Sequence, residues 1–142
     1  MTRSFAVRTA HWPQDAQMLR EIRYEVFVRE QKVPEDLELD GLDPECLHAL
    51  AFAAEGEVIG CGRLLPDGHI GRMAVRSRWR GQGVGSALLQ HLMKLAAEAG
   101  HDRAVLHAQT HAMEFYRRHG FEPVGEEFMD AGIAHRTMQR AL

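Results

Sequence analysis

From Arg80 to Ser86 the chain reads Arg80-Gly81-Gln82-Gly83-Val84-Gly85-Ser86, three glycines at alternate positions just ahead of an apolar helical pattern. The first backbone N–H groups of a helix have no intrahelical partner, and together with the helix dipole they form an anion site. Glycines lack the Cβ that would hold a pyrophosphate away from those amides. Arg76, Arg78 and Arg80 stand beside the stretch, and arginine's planar fork suits phosphate oxygens. Phosphate binding is one role open to these residues. A glycine-rich turn that merely packs a helix on a sheet is the other, and the glycines alone leave both open.

Two familiar phosphate loops do not fit. A Walker A loop needs Gly-Lys-Ser/Thr, whereas Lys32 and Lys94, the only lysines, follow Gln31 and Met93. A dinucleotide fingerprint needs a third glycine where Ser86 stands, although Asp102 lies at a suitable distance for a ribose contact. Arg76 to Arg80 also separate the preceding strand from the glycines, and no second nucleotide-binding half follows.

Other reactive side chains are scattered. Tyr116 shares a helical face with Ala112, Phe115 and His119. An ordinary tyrosine titrates near ~10, so it is protonated at neutral pH and can donate; the same spacing equally suits a core tyrosine. Of the 9 histidines, His107 and His111 are four apart but lie across a strand-to-helix break, and His48 has no partner at ligand spacing, so no metal site is expected. Cys46 and Cys61 form no CxxC motif and read as reduced thiols of a cytosolic chain. The acidic run from Glu35 to Glu45 reads as a solvated loop or short helix, with attraction of cationic acceptors as a second reading.

The elements that must hold these residues follow from periodicity and turn chemistry. Phe5 to Arg8 is a short strand, and a helix runs from Trp12-Pro13 to about Arg29, with Leu19, Ile22 and Val26 at helical spacing. Leu50 to Ala54 and Val58 to Arg63 pair across Glu55-Gly56, and Pro66-Asp67-Gly68 turns the chain into a strand from His69 to Val75. A long helix carries Val84, Leu88, Leu92 and Leu95 on one face and ends at Gly100. Arg103 to Ala108 is a strand, Thr110 to His119 a helix, and Phe121 to Gly125 and Ile133 to Met138 complete the sheet. This order predicts an α/β sandwich around a mixed sheet, with 1–142 as a single domain.

Composition excludes several function classes. The 142 residues carry a net charge of −3, from 17 basic and 20 acidic side chains, which argues against broad nucleic-acid or anionic-membrane binding. Arginine supplies 15 of the cations. The longest clean apolar run, Ala49 to Ala54, is too short to span a bilayer, and Met1-Thr2-Arg3-Ser4-Phe5 lacks the apolar core of an export sequence. The expected location is the cytoplasm. Exposed final strands leave a homodimer open.

Two separated motifs now combine. The strand end Met73-Ala74-Val75 followed by Arg80-x-x-Gly83-x-Gly85 resembles the acyl-CoA signature of the GNAT superfamily of N-acetyltransferases. Ala112-x-x-Phe115-Tyr116-x-x-x-Gly120-Phe121 resembles that superfamily's downstream motif. Arg23-x-x-Val26-Phe27-Val28-x-Glu30-Gln31, Glu38-x-Asp40-Gly41-x-Asp43 and Leu106-His107-Ala108-Gln109 are similar to its ElaA-like branch of small bacterial members.

The resemblance implies a mixed, mostly antiparallel sheet with helices on both faces and a splayed pair of central strands. It implies acetyl-CoA as cosubstrate, no metal, and an amine acceptor that attacks the thioester directly. Met73, Ala74 and Val75 would border the pantetheine arm, with Met73 and Val75 offering backbone groups. Arg80, Gly81, Gln82, Gly83, Val84, Gly85 and Ser86 would form the pyrophosphate loop, and Gln109 and Tyr116 would flank the thioester. Tyr116 is the expected acid. His69 is the expected base, at the start of a strand where several relatives carry a glutamate. Glu30, Asp40 and His48 lie in segments expected to line the acceptor pocket. A non-catalytic acyl-CoA-binding regulatory module and an acyl-homoserine-lactone synthase relative are the alternatives.

Overall fold

The computed structural model describes residues 3–142; Met1 and Thr2, part of the start read above as lacking an export signal, lie outside them. Seven strands form one sheet: β1 (Phe5–Ala10), β2 (Leu47–Ala53), β3 (Val58–Leu64), β4 (His69–Val75), β5 (Arg103–Gln109), β6 (Glu122–Asp130) and β7 (Ile133–Ala141). Their order is β1-β2-β3-β4-β5-β7-β6. Every neighbouring pair is antiparallel except β4 and β5, which run parallel.

Helices cover both faces, as the resemblance implies. The helix α3 (Val84–Glu98) buries Val84, Leu88, Leu89, Leu92, Met93 and Ala96 against one face, together with Ala104, Leu106 and Ala108 of β5. Its close approach needs a residue without a Cβ: at Gly62 that atom would stand 2.6 Å from Leu92 Cδ1. The helix α1 (Ala16–Arg23) covers the other face through Leu19 and Ile22, with Leu50, Cys61 and Ala74 beneath. The helix α4 (Met113–Arg118) follows β5 after a 3₁₀ turn, Thr110–Ala112. Among the described residues no helix is long and apolar enough to cross a membrane.

Three expectations change. First, the helix read from Trp12 to Arg29 starts only at Ala16, after a turn that holds Pro13, and widens to a π-helical segment over Tyr24–Glu30. There Gln31 N–H reaches back five residues to Val26 O at 3.1 Å. Second, β6 runs past Gly125 because a bulge between Val124 and Phe128 lets its pairing with β7 resume beyond the glycine, and β7 runs past Met138 because Arg140 and Ala141 pair with Ala104 and Arg103 of β5.

Third, the acidic run is solvated only in part. It forms a short helix, α2 (Glu35–Glu38), and folds Glu38, Asp40 and Asp43 onto arginines, while Glu35, Asp36 and Glu45 stay exposed. Arg23, only 1% exposed, donates to Glu38 Oε1 at 2.5 Å and to Asp43 Oδ1 at 2.6 Å. Arg63 donates to Asp43 Oδ1 at 3.1 Å and to Asp40 Oδ2 at 2.5 Å. Burial alone would raise the carboxyls of Asp40 and Asp43, but hydrogen bonds from these guanidiniums hold both below the usual range.

The sheet has one discontinuity. β4 and β5 pair only at His69↔Val105 and Ile70↔Leu106. Beyond Ile70, β4 stays with β3 across a bulge between Cys61 and Arg63, while β5 stays with β7 as far as Gln109↔His135. At the bulge Arg72 takes φ +50°, a conformation disfavoured for side chains with a Cβ. Its guanidinium is tied to Glu38 O at 3.0 Å and Asp40 Oδ2 at 3.3 Å. The ion network under α1 therefore helps hold the bend that parts the two strands.

Candidate active site

The glycine loop lies at the end of β4 and opens α3. Gly83 is the residue before the first helical turn, at φ +89°, with nothing within 4 Å of where a Cβ would stand. Among the described residues, the first N–H after Arg80 with a backbone partner is that of Ala87, bonded to Gly83 O at 3.0 Å. The amides of residues 81–86 are thus left as donors at the positive end of a 15-residue helix.

The three arginines are not the free cations their spacing suggests. Arg76 is paired with Glu25 and Arg78 with Glu57. Arg80 holds Glu30 at 2.5 and 2.8 Å and donates to Val75 O at 3.0 Å. An anion placed here would meet backbone amides first. Gln82 is bonded to Arg3 and to Arg78 O, and the Ser86 hydroxyl lies 2.9 Å from His119 Nε2. Of these two residues, only the amides face no backbone competitor.

The open seam between β4 and β5 has different side chains on its two faces. On the α3 side, the Tyr116 hydroxyl points at Met73 Sδ across 4.0 Å, while its ring packs on Phe115 and Phe121. Burial pushes its pKa up to about 12, so it stays protonated through the neutral range. Val75 and Phe115 both come near Gly85, with Phe115 Cζ 3.3 Å from its Cβ position. Strand end, loop and α4 thus meet along one edge.

On the α1 side, Gln109 accepts from and donates to Gln31, with its Nε2 2.9 Å from Gln31 Oε1, and lies 2.7 Å from His111 Nε2. His69 sits at the apex, its Nδ1 3.0 Å from Asp67 Oδ1 and its ring edge-on to His107 at 5.4 Å. Phe128 continues this row, 5.3 Å from His107 and stacked on His135. The sequence reading missed the row, since alternation along β5 could put His107 on this face but nothing could bring Phe128 to it.

The other proposed acceptor-side residues are already engaged. Glu30 is held by Arg80, whose hydrogen bond lowers its pKa. Asp40 belongs to the ion network. His48 is fully buried, bonded to Asp43 O at 2.9 Å, and burial lowers its proton affinity. A cavity of about 420 Å³ lies off the seam, lined by residues such as Arg20, Tyr24, Glu25 and Arg76. Cys46 and Cys61 are buried free thiols, the latter pushed up to about 12 by burial.

A profile of the acetyltransferase (GNAT) domain matches residues 13–142. The chain belongs to the GNAT family of acetyltransferases. YjcF, an uncharacterised N-acetyltransferase of Bacillus subtilis, is 40% identical over 123 residues, covering 84% of this chain and 87% of that protein. Among solved structures, an acyl-CoA N-acyltransferase from Pseudomonas aeruginosa superposes with a TM-score of 0.84 at 34% identity, over 97% of this chain and 100% of the other. ElaA of Escherichia coli gives 0.84 at 29% identity, over 96% and 99%. The GNAT fold and the ElaA-like resemblance stand, including the splayed central strands.

Proposed function

We propose that this GNAT protein, as a single catalytic domain, transfers an acetyl group from acetyl-CoA to a primary amine by direct attack on the thioester. The observation that carries this reading is the seam: two parallel strands paired over two residues and then parted, ending beside a loop of unpartnered amides. The free edge of Met73, Ala74 and Val75 offers backbone groups to a pantetheine arm laid along it like an added strand. The amides of Gly81, Gln82, Gly83, Val84, Gly85 and Ser86 suit the pyrophosphate, with Arg80 at the loop's entrance. Gln109 and Tyr116 border the place where the thioester would lie.

Attack forms the N–C bond, breaks C–S and leaves the electron pair on sulfur. Tyr116, protonated and aimed across the seam, donates to that sulfur. An amine near pKa ~10.4 is almost wholly protonated at pH 7, so a proton acceptor is needed on the opposite face. His69 is a candidate there. Kinship to proteins named N-acetyltransferase and acyl-CoA N-acyltransferase and the half-buried Tyr116 favour an enzyme over a silent binder.

Mass spectrometry of a panel of primary amines and amino metabolites incubated with acetyl-CoA tests this reading. At least one acetylated product, absent without protein, is expected. Saturable CoA binding with no product from any amine would favour the regulatory module instead.

A further inference from the structure

We propose that His107 is the group that takes the proton from the acceptor amine, the ring row His69–His107–Phe128 being the wall against which that amine sits. The inference rests on the acetyl-transfer reading above and adds to it a residue and a side of approach.

His107 follows Leu106, the last residue of β5 paired with β4, so it stands where the seam begins to open. Ala104, Leu106 and Ala108 point into the α3 core, and strand alternation sends His107 to the opposite face. Tyr116 reaches the seam from the α3 side. Acid and base therefore approach a thioester lying in the seam from opposite faces, the arrangement needed when amine enters on one side and sulfur departs on the other.

The neighbouring groups other than His69 are hydrogen-bonded elsewhere. Glu30, Asp40 and His48 are bonded as described. His135 Nδ1 lies 2.7 Å from Ile133 O, and His111 is bonded to Gln109. His69 faces Asp67 and belongs to the paired end of β4. His107 is largely exposed, its ring partly covered by His69 and Phe128, with no hydrogen bond among the described residues. The groups facing it are His69 from β4, His135 from β7, Asp130 from β6 and Asp67 from the turn before β4. Burial first, then the imidazoles of His69 and His135, lower its pKa, while Asp130 and Asp67 act the other way. The net result is a neutral imidazole at pH 7, as a base requires.

Protons and electrons balance. The ammonium form first loses one proton to water; the neutral amine's lone pair then forms the bond to the carbonyl carbon, and the C–S pair leaves on sulfur. His107 takes one proton from nitrogen and Tyr116 gives one to sulfur. Exchange with water then restores both groups.

Two measurements decide the matter. In the first, imidazole and backbone-amide NMR of the intact protein follows all histidines and the loop amides as acetyl-CoA is added. The His107 signal should titrate below the ordinary histidine value and shift on acetyl-CoA binding. If the amides of 81–86 respond to acetyl-CoA while His107 does not, the inference is overturned whatever the acceptor. If no site responds, the acetyl-transfer reading fails instead. In the second, His107→Gln is assayed with any amine the panel yields. Loss of a positioned base typically costs ~10²–10⁴-fold, so kcat should fall by about 100-fold. The acidic limb of kcat/KM should vanish, while the limb from the amine's own ionisation remains. His69→Gln, which keeps His107, should lower kcat less than His107→Gln does and leave the acidic limb in place. Turnover that survives in His107→Gln with its acidic limb intact, or a limb that follows His69, would overturn the assignment while leaving acetyl transfer standing.

Discussion

Tyr116 and Gly83 are the residues where chemistry and packing are easiest to confuse, and the structure supplies substitutions that separate them. Among the described residues the Tyr116 hydroxyl has one hydrogen-bond partner, a distant sulfur at 4.0 Å, so Tyr116→Phe should leave melting temperature and acetyl-CoA affinity nearly unchanged. A proton donated to the departing thiolate matters chiefly in the transition state, so kcat should drop at least ~10-fold, with water partly substituting for the lost acid. Steady-state kinetics with a rate-limiting chemical step checks this, and an unchanged kcat would return Tyr116 to the core. Gly83 is subtler. At φ +89° a valine would cost roughly 1–2 kcal/mol of backbone strain, so Gly83→Val confounds stability with binding. Asparagine tolerates that conformation, and the space at the Cβ position is open. Gly83→Asn should therefore keep most of the stability and lose CoA affinity, by calorimetry. The opposite pattern would make the loop a packing turn. The residue types of both sites were legible in the sequence because motif and helical spacing coincided. The pairing of Arg76, Arg78 and Arg80 was not, because their glutamate partners lie 20 or more residues away along the chain.

At the scale of elements, the ion network ties α1, α2 and the bulge of β4 together. The sequence shows the acidic run but not the burial of Glu38 and Asp43, because no local pattern reveals that Arg23 and Arg63 face inward. Hydrophobic periodicity marks Leu19, Ile22 and Val26 and is silent about a buried guanidinium. Arg23→Met should leave Glu38 and Asp43 buried without a full complement of partners, a change that typically costs about 3–5 kcal/mol. Chemical denaturation measures it; a loss below ~1 kcal/mol would mean that Arg63 alone satisfies the acids. The pH dependence has a definite sign. Asp40 and Asp43 have folded pKa values below their ordinary ones. Their contribution to stability is full above the ordinary carboxylate range and declines as pH falls through that range toward the lowered values. Periodicity located the strands and α3 well. The π-helical widening and the extension of β6 and β7 lay beyond it, since each depends on how the chain meets a neighbouring element.

For the molecule as a whole, the defining feature is a sheet that carries its own opening. The splayed central pair could be read only through family resemblance, because a parallel pair that parts after two residues leaves no mark in either strand's sequence. A ligand confined to the folded state stabilises it by mass action, about 2.7 kcal/mol at a hundredfold excess over Kd. For a chain of this size that is roughly 10 °C in Tm. Acetyl-CoA should produce such a shift, and ATP or nicotinamide nucleotides much less at equal concentration. Equal shifts would remove the donor assignment.

The most direct test of the account is amide hydrogen exchange with and without saturating acetyl-CoA. Binding in the seam predicts protection along 71–75 of β4 and across 81–86 of the loop, with slowing at 107–109 of β5. Protection confined to the cavity beside Arg20, Tyr24 and Arg76, with the seam and the glycine loop unchanged, would contradict it.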